Sequence, residues 1–330
     1  MARLRIGIVG VGRHGSRYAR HATRDIDDLE LVAVCRRNES EGRRIADEHG
    51  CSYVADPLEL IGRPDIDAVV LVTLPHLLEE LVGAAAAAGK RLLVEKPVAF
   101  DLASGRRMLE VVEDSGIYCM AGQTLRFNTV ANALRDHVSE LGRVDTLVLS
   151  QRFPPQRHLD WIDDPDRSGG GNILHTGVHC FDLIRYITGL EPQTATCATS
   201  SVHTDRTEDN FAASLTFEAS GALGLVACSR SADCRDGLIE ISGEHGTLRG
   251  DHVHNTLIRI HGTDTTPIEL DPPVHTVHAT LARFAADAAD GCEPLASFAD
   301  GLAAVAVADA CYRSASSGRR EAVVLPHAGS

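Results

Sequence analysis

The chain has 330 residues, more than one compact core usually serves, so two domains are expected. Its 46 Asp and Glu outnumber 32 Lys and Arg, and a net charge of −14 without a basic cluster argues against a nucleic-acid partner. The nine cysteines are scattered without a C-x-x-C pair, which predicts neither a disulfide framework nor a zinc ribbon and favours a reducing, cytoplasmic setting. Because no apolar run reaches the ~18 residues of a membrane span and no signal peptide precedes the first strand, we expect no membrane contact.

Short apolar strands alternate with helices in the first third of the chain. Predicted strands cover residues 4–9, 31–35, 68–72, 91–94 and 117–121, and predicted helices cover residues 13–23, 39–49, 77–88 and 102–115. Apolar strands that alternate with helices are typical of βαβ units, in which helices cover both faces of a parallel sheet. We therefore predict a Rossmann-type, doubly wound α/β domain over residues 1–121.

After residue 142 the pattern changes to consecutive strands joined by short turns. Predicted strands cover residues 144–151, 194–202, 211–217, 223–229, 238–242, 247–249 and 257–261, and predicted helices cover residues 171–188, 277–290 and 298–314. Strands that follow one another without helices between them form open, mostly antiparallel sheets. The sequence therefore predicts an α+β domain over residues 122–330.

A glycine-rich turn joins the first predicted strand to the first predicted helix. In a G-x-G-x-x-G turn the first glycine permits the tight bend, the second lets the backbone approach a pyrophosphate, and the third lets the helix pack on the strand. The pyrophosphate then lies at the helix N-terminus, where free N–H groups favour anions. The segment Gly10-Val11-Gly12-Arg13-His14-Gly15 has this pattern. It predicts a dinucleotide site that includes Gly10, Gly12, Arg13, His14 and Gly15, with a plain glycine turn as the competing interpretation.

The tip of the second strand indicates which dinucleotide is bound. A carboxylate there accepts hydrogen bonds from the adenosine ribose, whereas arginine favours a 2′-phosphate. The sequence has Cys35-Arg36-Arg37-Asn38 and no acid at this tip, and Glu30 lies at the opposite end of the strand. Arg36 and Arg37 therefore favour NADP as the cofactor. The alternative is that both arginines are solvated surface charges and that the site also accepts NAD.

Further motifs follow this turn, and their order and spacing together are specific for one family. The motif Glu95-Lys96-Pro97 comes directly after the predicted strand 91–94, at the sheet edge where α/β proteins bind ligands. The motifs are the glycine fingerprint, Glu95-Lys96-Pro97, Gly169-Gly170-Gly171 with His179 and Asp182 after it, and residues 294–325. In these features the chain resembles the glucose–fructose oxidoreductase / inositol dehydrogenase (Gfo/Idh/MocA) family over nearly its whole length.

The resemblance implies a nicotinamide site around Lys96. At this family position a lysine lies near the nicotinamide and the reacting carbon, where its ammonium stabilises negative charge on the substrate oxygen or relays a proton. A surface lysine just past a strand end is the alternative. The resemblance also implies cofactor contacts in the segments that follow the third, fourth and fifth predicted strands. These contacts are Thr73, Pro75, Glu95 and Gln123.

A histidine pair follows the triple glycine. On a helix, His175, His179 and Asp182 are spaced i, i+4 and i+7 and fall on one face. A histidine beside an acid or a second histidine can accept a hydroxyl proton or donate a proton to a ketone. The family pattern is D-x-x-x-H, whereas this chain reads His175-Thr-Gly-Val-His179. The resemblance therefore implies that His179 is the acid/base, and the departure at His175 implies a neutral group that orients the substrate.

Three further side chains are candidate substrate contacts. Residues 123–128 resemble the family segment that lines the nicotinamide pocket, so Arg126 is a candidate for the substrate hydroxyls, with a surface charge as the alternative. Trp161 lies in the loop 153–168 and is expected either to form a wall over the substrate or to anchor the loop. Asn172 belongs to the glycine-rich segment before the histidines and completes the expected substrate contacts.

Together these residues predict an oxidoreductase that prefers NADP and acts on a ring carbinol or ketone of a sugar, sugar derivative or inositol-like polyol. Lys96, His175 and His179 form the expected catalytic set. A His-x-x-x-His pair on a helix can bind zinc, but no third ligand is evident, so no metal is expected. The alternatives are a non-catalytic NADP(H)-binding sensor and a metal-dependent polyol dehydrogenase. The resemblance implies that the domain over residues 122–330 binds the substrate and forms a homodimer or homotetramer, in which the exposed face of its sheet would otherwise leave apolar surface in water.

Overall fold

The structure, a computed structural model, describes residues 3–155, 160–217 and 221–326. Its first part is an entirely parallel sheet with connecting helices. The strands are β1 (Leu4–Val9), β2 (Leu29–Cys35), β3 (Ser52–Val54), β4 (Ala68–Leu71), β5 (Arg91–Glu95) and β6 (Cys119–Gly122), in the order β3-β2-β1-β4-β5-β6. The helices are α1 (Gly15–Arg24), α2 (Glu39–His49), α3 (Pro57–Ile61), α4 (Leu78–Ala87) and α5 (Leu102–Ser115). The strand order reverses between β1 and β4, which is where doubly wound sheets bind ligands.

Continuous apolar strands account for this parallel sheet. All four residues of β4 are buried, and in β5 only Arg91 is exposed, as expected for strands that are covered on both faces. Residues next to α5 in sequence set its ends. Asp101 accepts a hydrogen bond from the Ser104 backbone N–H (2.7 Å) and caps the first turn, and Gly116 ends the helix in the left-handed conformation. The predicted Rossmann-type fold is confirmed, whereas β3 and α3 were not predicted.

The second part is a nine-stranded mixed sheet. Its strands are β7 (Val144–Arg152), β8 (Thr194–Ser200), β9 (Asn210–Thr216), β10 (Leu223–Ser229), β11 (Asp236–Gly243), β12 (Gly246–Asp251), β13 (Thr256–His261), β14 (Asp264–Pro267) and β15 (Glu321–Ala322). The order is β14-β13-β12-β11-β7-β10-β9-β8-β15, and β7 and β10 are the parallel pair in an otherwise antiparallel sheet. This confirms the predicted α+β fold with a mostly antiparallel sheet.

Helices cover one face of this sheet. They include α6 (Thr129–His137), α7 (Pro165–Ser168) and α8 (Val178–Thr188), and a π-helical turn, Ile173–Gly177, leads directly into α8. Phe181 of α8 lies against Phe211 of β9, with ring centroids 6.2 Å apart. Side chains of β10 alternate between the two faces of the sheet, and Leu223 and Leu225 lie exposed on the face opposite the helices. The prediction of one uniform helix over residues 171–188 is therefore wrong for its first turns, and α6 and β14 were not predicted.

A late segment of the chain, residues 275–302, returns to the first part. Helices α9 (Thr276–Asp290) and α10 (Phe298–Ser317) follow β14, and the chain forms two compact units, residues 1–124 with 275–302 and residues 125–274 with 303–330. Phe284 of α9 is fully buried beside Tyr118, and the Ala121 N–H donates to the Ala296 carbonyl (2.8 Å). The sequence placed all residues after 121 in the second domain; residues 275–302 instead belong to the first unit because they complete its core and extend its sheet edge.

Within the described residues, no helix has the length and apolar character that crossing a membrane requires.

Candidate active site

The three glycines of the first turn have three different environments. Gly10 has φ +97°, and a Cβ added there would lie 2.1 Å from the Val72 carbonyl oxygen. A Cβ on Gly15 would lie 2.1 Å from the Gly10 carbonyl oxygen, where α1 begins against the turn. A Cβ on Gly12 would meet nothing within 4 Å among the described residues. Gly10 and Gly15 therefore hold the turn, while Gly12 leaves open space beside the N-terminus of α1 that fits a pyrophosphate.

A buried carboxylate joins this turn to the E-K-P motif. Glu95, at the end of β5, accepts hydrogen bonds on Oε1 from the Tyr18 hydroxyl (2.6 Å) and pairs there with His14 Nε2 (2.7 Å). Its Oε2 accepts the backbone N–H of Lys96 (2.9 Å). Tyr18 is fully buried, whereas His14 is half-exposed. The fingerprint residue His14 and the motif residue Glu95, both predicted from sequence, thus belong to one network, and Tyr18 is a member that the sequence did not reveal.

The charge of Glu95 is stabilised by its partners. Burial raises the pKa of this carboxyl, but His14, Lys96 and the Tyr18 hydroxyl lower it by more, so that the pKa falls to about 2. In return, burial and the adjacent carboxylate raise the pKa of Tyr18 well above its usual range. The carboxylate therefore stays ionised at neutral pH and fixes the Lys96 backbone at the carboxyl end of β5.

Lys96 is one of two lysines in a chain with 32 Lys and Arg residues, of which all the others are arginine. The second lysine, Lys90, is buried and donates from Nζ to the carbonyls of Arg63 and Ile66 (2.7 Å each). Lys96 is instead half-buried at the carboxyl end of β5, and its peptide bond to Pro97 is cis. A compact ammonium on a flexible stem is thus kept at the position where the sequence predicts contact with the reacting oxygen.

The tip of β2 holds the two arginines predicted to select the cofactor. Arg36 donates from Nη1 to the Val11 carbonyl (2.8 Å) and forms an ion pair with Glu41, so its guanidinium lies over the glycine turn. Arg37 is exposed. The tip of β2, where an NAD-selective site carries a carboxylate, has no acidic residue. Within the described residues, the acid that contacts Arg36 is Glu41 on α2.

The remaining predicted cofactor contacts follow the ends of neighbouring strands of the first unit. Arg13 is exposed in the glycine turn, Thr73 is half-buried after β4, and Pro75 is buried two residues later. Gln123 is buried directly after β6, and its Oε1 has no hydrogen-bond partner among the residues that the structure describes. A buried amide oxygen without a donor fits a ligand that carries N–H groups, such as a carboxamide. The open space at Gly12 and this oxygen both fit a nicotinamide dinucleotide.

Each residue of the triple glycine in the second unit occupies a position where a side chain would be strained or would clash. Gly169 has φ +76° and ends α7. A Cβ on Gly170 would lie 2.2 Å from the Tyr312 hydroxyl, and one on Gly171 would lie 2.1 Å from the Glu208 carbonyl oxygen. Tyr312 and Glu208 also bond each other (2.9 Å), and the Tyr312 oxygen accepts the Gly171 N–H (3.0 Å). The glycine loop is thus seated on two residues from distant parts of the chain.

The π-helical turn after these glycines carries the histidines. His175 is buried, its Nε2 lies 3.1 Å from the Ser168 carbonyl oxygen, and its ring meets the Trp161 ring edge-on at 5.2 Å. His179 is the residue of the segment 171–180 that is not buried. π-helical turns occur frequently at functional sites. The structure thus brings His175 and Trp161 together, whereas residues 156–159 of the predicted loop 153–168 lie outside the described residues.

Two predicted substrate contacts are held by structural partners. Arg126 and Asp182 are both buried and form a bidentate ion pair, with Nη2 2.7 Å from Oδ1 and Nε 2.9 Å from Oδ2. Asn172 is fully buried and donates from Nδ2 to the Asp209 carbonyl (3.0 Å), while its Oδ1 has no partner among the described residues. Arg126 is therefore not the surface charge considered from sequence, and the roles of both residues in substrate binding stay predictions.

Sequence reasoning missed Glu208, Tyr312 and Arg230 in this part of the second unit. Burial raises the pKa of the Glu208 carboxyl, against backbone hydrogen bonds that lower it. Arg230 follows β10, and its Nε donates to Thr176 Oγ1 (3.1 Å) in the π-helical turn. None of these residues belongs to a local motif, so no sequence signal identified them. Over the described ranges, no group of three or more His, Cys, Asp and Glu residues is arranged to hold a metal ion.

The parallel sheet, the glycine turn that leaves room for a pyrophosphate and the α+β second unit define a Rossmann-type dinucleotide-binding protein with two compact units. Residues 4–123 match an oxidoreductase family with an NAD-binding Rossmann fold, and residues 132–249 match the Gfo/Idh/MocA C-terminal domain. The chain belongs to this Gfo/Idh/MocA oxidoreductase family, as its sequence motifs predicted.

Named relatives agree with this assignment. The chain is 30% identical to inositol 2-dehydrogenase of Rhizobium meliloti over 96% of its own length and 98% of the relative. It is 33% identical to myo-inositol 2-dehydrogenase of Thermotoga maritima over 77% of each chain. Among solved structures, an oxidoreductase domain protein from Kribbella flavida superposes with a TM-score of 0.89 at 26% identity, over 98% of this chain and 100% of that one.

Proposed function

We propose that the protein is an NADP-preferring oxidoreductase that transfers a hydride between the nicotinamide and a ring carbon of a sugar, sugar derivative or inositol-like polyol. The observation that carries dinucleotide binding is the open space at Gly12 beside the N-terminus of α1. The names of two relatives, which are inositol dehydrogenases, support a cyclic polyol or sugar as the substrate class. The bound cofactor supplies the hydride acceptor or donor.

The proposed roles of the protein side chains follow from their chemistry. The Lys96 ammonium hydrogen-bonds the reacting oxygen and stabilises the negative charge that develops on it. In the direction of oxidation, the carbinol C–H leaves as hydride and the hydroxyl proton goes to the imidazole of His179. His175, buried beside Trp161, orients the ring. The ion pair of Arg126 with Asp182 holds the N-terminal half of α8, the helix that carries His179.

The preference for NADP rests on the tip of β2. A 2′-phosphate at this tip contacts the exposed Arg37 and Arg36. The ion pair of Arg36 with Glu41 lies at the surface and contributes little stability, so Arg36 can leave Glu41 and bind the phosphate at small cost. Two guanidinium groups without an acid at the strand tip favour the phosphate over the free ribose hydroxyl. NAD binding is the behaviour of the family, and NADP preference is the specific claim for this chain.

The exposed face of the nine-stranded sheet is the proposed contact between copies of the chain. Leu223 and Leu225 of β10 are each more than half exposed and lie two residues apart on this face, and neighbouring exposed apolar side chains of this kind are favourable contacts for a second copy. We expect a homodimer or homotetramer in solution, and Leu225→Glu should shift its mass toward the monomer in light scattering. A wild-type chain that is monomeric at micromolar concentration would overturn this part of the proposal.

The function is tested by following absorbance at 340 nm with NADP⁺ or NAD⁺ and a panel of inositols, aldoses and anhydro sugars. We expect at least one panel member to be oxidised, with kcat/KM for NADP⁺ at least about tenfold above that for NAD⁺. Arg37→Asp should remove this preference, whereas Arg44→Asp, an exposed arginine on α2, should leave it unchanged. No turnover with either cofactor would contradict the proposed function, and equal efficiency would contradict the cofactor preference alone.

A further inference from the structure

An arginine stands beside the histidine turn without a carboxylate partner. Arg230 follows the last residue of β10 and is only half-buried, with its Nε donating to the neutral Thr176 hydroxyl at 3.1 Å. Among the described residues, no carboxylate lies within ion-pair distance of its guanidinium, and Nη1 and Nη2 have no hydrogen-bond partner and are not sealed from solvent. Four N–H donors therefore face space that solvent or a ligand can reach.

The position of Arg230 relative to the predicted site is fixed by two contacts in the second unit. Thr176, which accepts the Nε hydrogen bond, follows His175 directly and precedes His179 by three residues. Two residues before Arg230, Cys228 lies with its Sγ 3.8 Å from the Sγ of Cys180. The end of β10 therefore runs along the segment 176–180, and Arg230 Nε is bonded to a residue that lies one position after His175 and three positions before His179.

Two acids next to Arg230 in the structure, Glu208 and Asp209, accept hydrogen bonds from other donors. Glu208 Oε1 accepts the Ile173 N–H (2.8 Å) as well as the Tyr312 hydroxyl. The carboxylate of Asp209 accepts the N–H groups of Val202 (3.0 Å) and His203 (2.7 Å). Burial lowers the pKa of the Arg230 guanidinium to about 10, with only a partial opposing effect of Glu208. The positive charge is thus costly in the isolated protein, which points to a ligand that compensates it.

The backbone holds this side chain ready. The Arg230 N–H donates to the Asp209 carbonyl (2.8 Å), and the hydroxyl of Ser231 donates to Asn210 Oδ1 (2.8 Å). The backbone of Arg230 and one of its side-chain nitrogens are therefore fixed before any ligand arrives. Such preorganisation reduces the entropy that binding would otherwise cost.

We propose that Arg230 binds a carboxylate of the substrate, so that the ring on which the oxidoreductase acts is that of a sugar acid. This inference rests on the proposed function for the identity of the reacting ring, and it names the substrate class of that same site. A planar guanidinium binds a carboxylate with two parallel hydrogen bonds. A single cation matches the single charge of a carboxylate, and His175, which stands where the family pattern has Asp, adds no carboxylate that would repel it. The doubly charged phosphate of a sugar phosphate is matched less well.

The substrate class is tested with pairs of compounds that differ in one group. D-Glucuronate, D-glucuronamide and D-glucose share the pyranose ring and carry a carboxylate, a neutral amide and a hydroxymethyl group, and glucose 6-phosphate supplies the phosphate. With the wild type, we expect kcat/KM for D-glucuronate to exceed those for the other three compounds at least about tenfold. Equal efficiency with D-glucuronate and D-glucuronamide, or preference for glucose 6-phosphate, would overturn the proposal.

The residue is tested by a set of variants. Arg230→Gln should lower kcat/KM for D-glucuronate about 100-fold and change that for D-glucose less than about threefold, because two charge-assisted hydrogen bonds are lost only with the acid. Arg230→Lys keeps a positive charge at this half-buried position and should recover part of the loss. Arg235→Gln is the matched control, since Arg235 is an exposed arginine stacked on Phe153 at 5.3 Å, and it should leave both values unchanged. An equal loss for D-glucuronate and D-glucose in Arg230→Gln would overturn the proposal.

A binding measurement separates this inference from the proposed function. Trp161 is the only tryptophan of the chain and lies against His175, so its fluorescence reports occupancy without turnover. Saturable quenching by D-glucuronate that is lost in Arg230→Gln and retained in Arg235→Gln would support carboxylate binding even if no compound were oxidised, in which case the proposed function alone would fail. Oxidation of neutral sugars, with no fluorescence response to D-glucuronate, would leave the proposed function standing and overturn the role of Arg230.

Discussion

The buried carboxylate of Glu95 offers a quantitative test of how the first unit is held together. Glu95→Gln preserves the shape of the side chain but removes the charge that accepts from Tyr18, His14 and the Lys96 N–H. The amide nitrogen of glutamine is a donor, so at least one of these donors loses its acceptor. We expect the free energy of unfolding to fall, because an unsatisfied buried donor and a lost charge-assisted hydrogen bond both destabilise.

The size of the effect follows from the pKa of this carboxyl. The pKa of Glu95 falls from its ordinary value of 4.5 to about 2 in the folded protein, and this difference in pKa corresponds to about 3 kcal/mol of stabilisation. Because the folded pKa is the lower one, this contribution is fully present above pH 4.5 and is lost as the pH falls to about 2. At pH 3 about half of it remains. The difference between wild type and Glu95→Gln should therefore shrink by the same fraction.

The assay is urea unfolding followed by far-ultraviolet circular dichroism at pH 7 and at pH 3. The matched control is Glu79→Gln, which breaks an exposed ion pair with Arg107 and should cost less than about 1 kcal/mol. Surface pairs are screened by water, whereas Glu95 is almost completely buried. The reasoning would be refuted if Glu95→Gln cost no more than Glu79→Gln, or if its cost were the same at both pH values.

Two further predictions concern the glutamate and the glycines of the site. Burial raises the pKa of Glu208, so its contribution to stability is present below pH 4.5 and is lost as the pH rises through its folded pKa. Glu208→Gln keeps an oxygen that can accept from Ile173 and Tyr312, and it should be at least as stable as the wild type at pH 8 by thermal unfolding; a clear loss at pH 8 would contradict this. Gly12→Ala should keep Tm within about 2 °C and weaken NADPH binding at least about tenfold in a fluorescence titration, whereas Gly10→Ala should lower Tm by well over 5 °C. Unchanged NADPH affinity in Gly12→Ala would mean that the open space is not the pyrophosphate site.

The parts of the fold that follow local rules could be predicted from sequence. Helices α2 and α5 begin and end at the predicted residues because Asn38 and Asp101 cap their first turns and Gly50 and Gly116 end them. The strands of the parallel sheet were visible as apolar runs, since both faces are covered. Strand β3, three residues long, and the five-residue α3 are too short to show a period, which is why they were missed.

The rest depends on contacts between distant residues. The sequence identified the triple glycine but not its cause, because Glu208 and Tyr312, which crowd Gly171 and Gly170, lie far away along the chain. The helical spacing of His175 and His179 assumed a uniform α-helix, but His175 lies in a π-helical turn that ends before α8, the helix that carries His179. The return of residues 275–302 to the first unit is likewise a tertiary effect, since α9 itself was predicted but its packing on α1 was not.

The central claim, hydride transfer assisted by Lys96, is tested most directly by the kcat of Lys96→Met with the best compound of the substrate panel, measured beside its NADPH affinity. Methionine keeps the length of the side chain and removes its charge, and the site at Gly10–Gly15 is untouched. We expect kcat to fall about 100-fold or more while NADPH affinity changes only a few-fold. A Lys96→Met protein that turns over at nearly the wild-type rate would contradict the account.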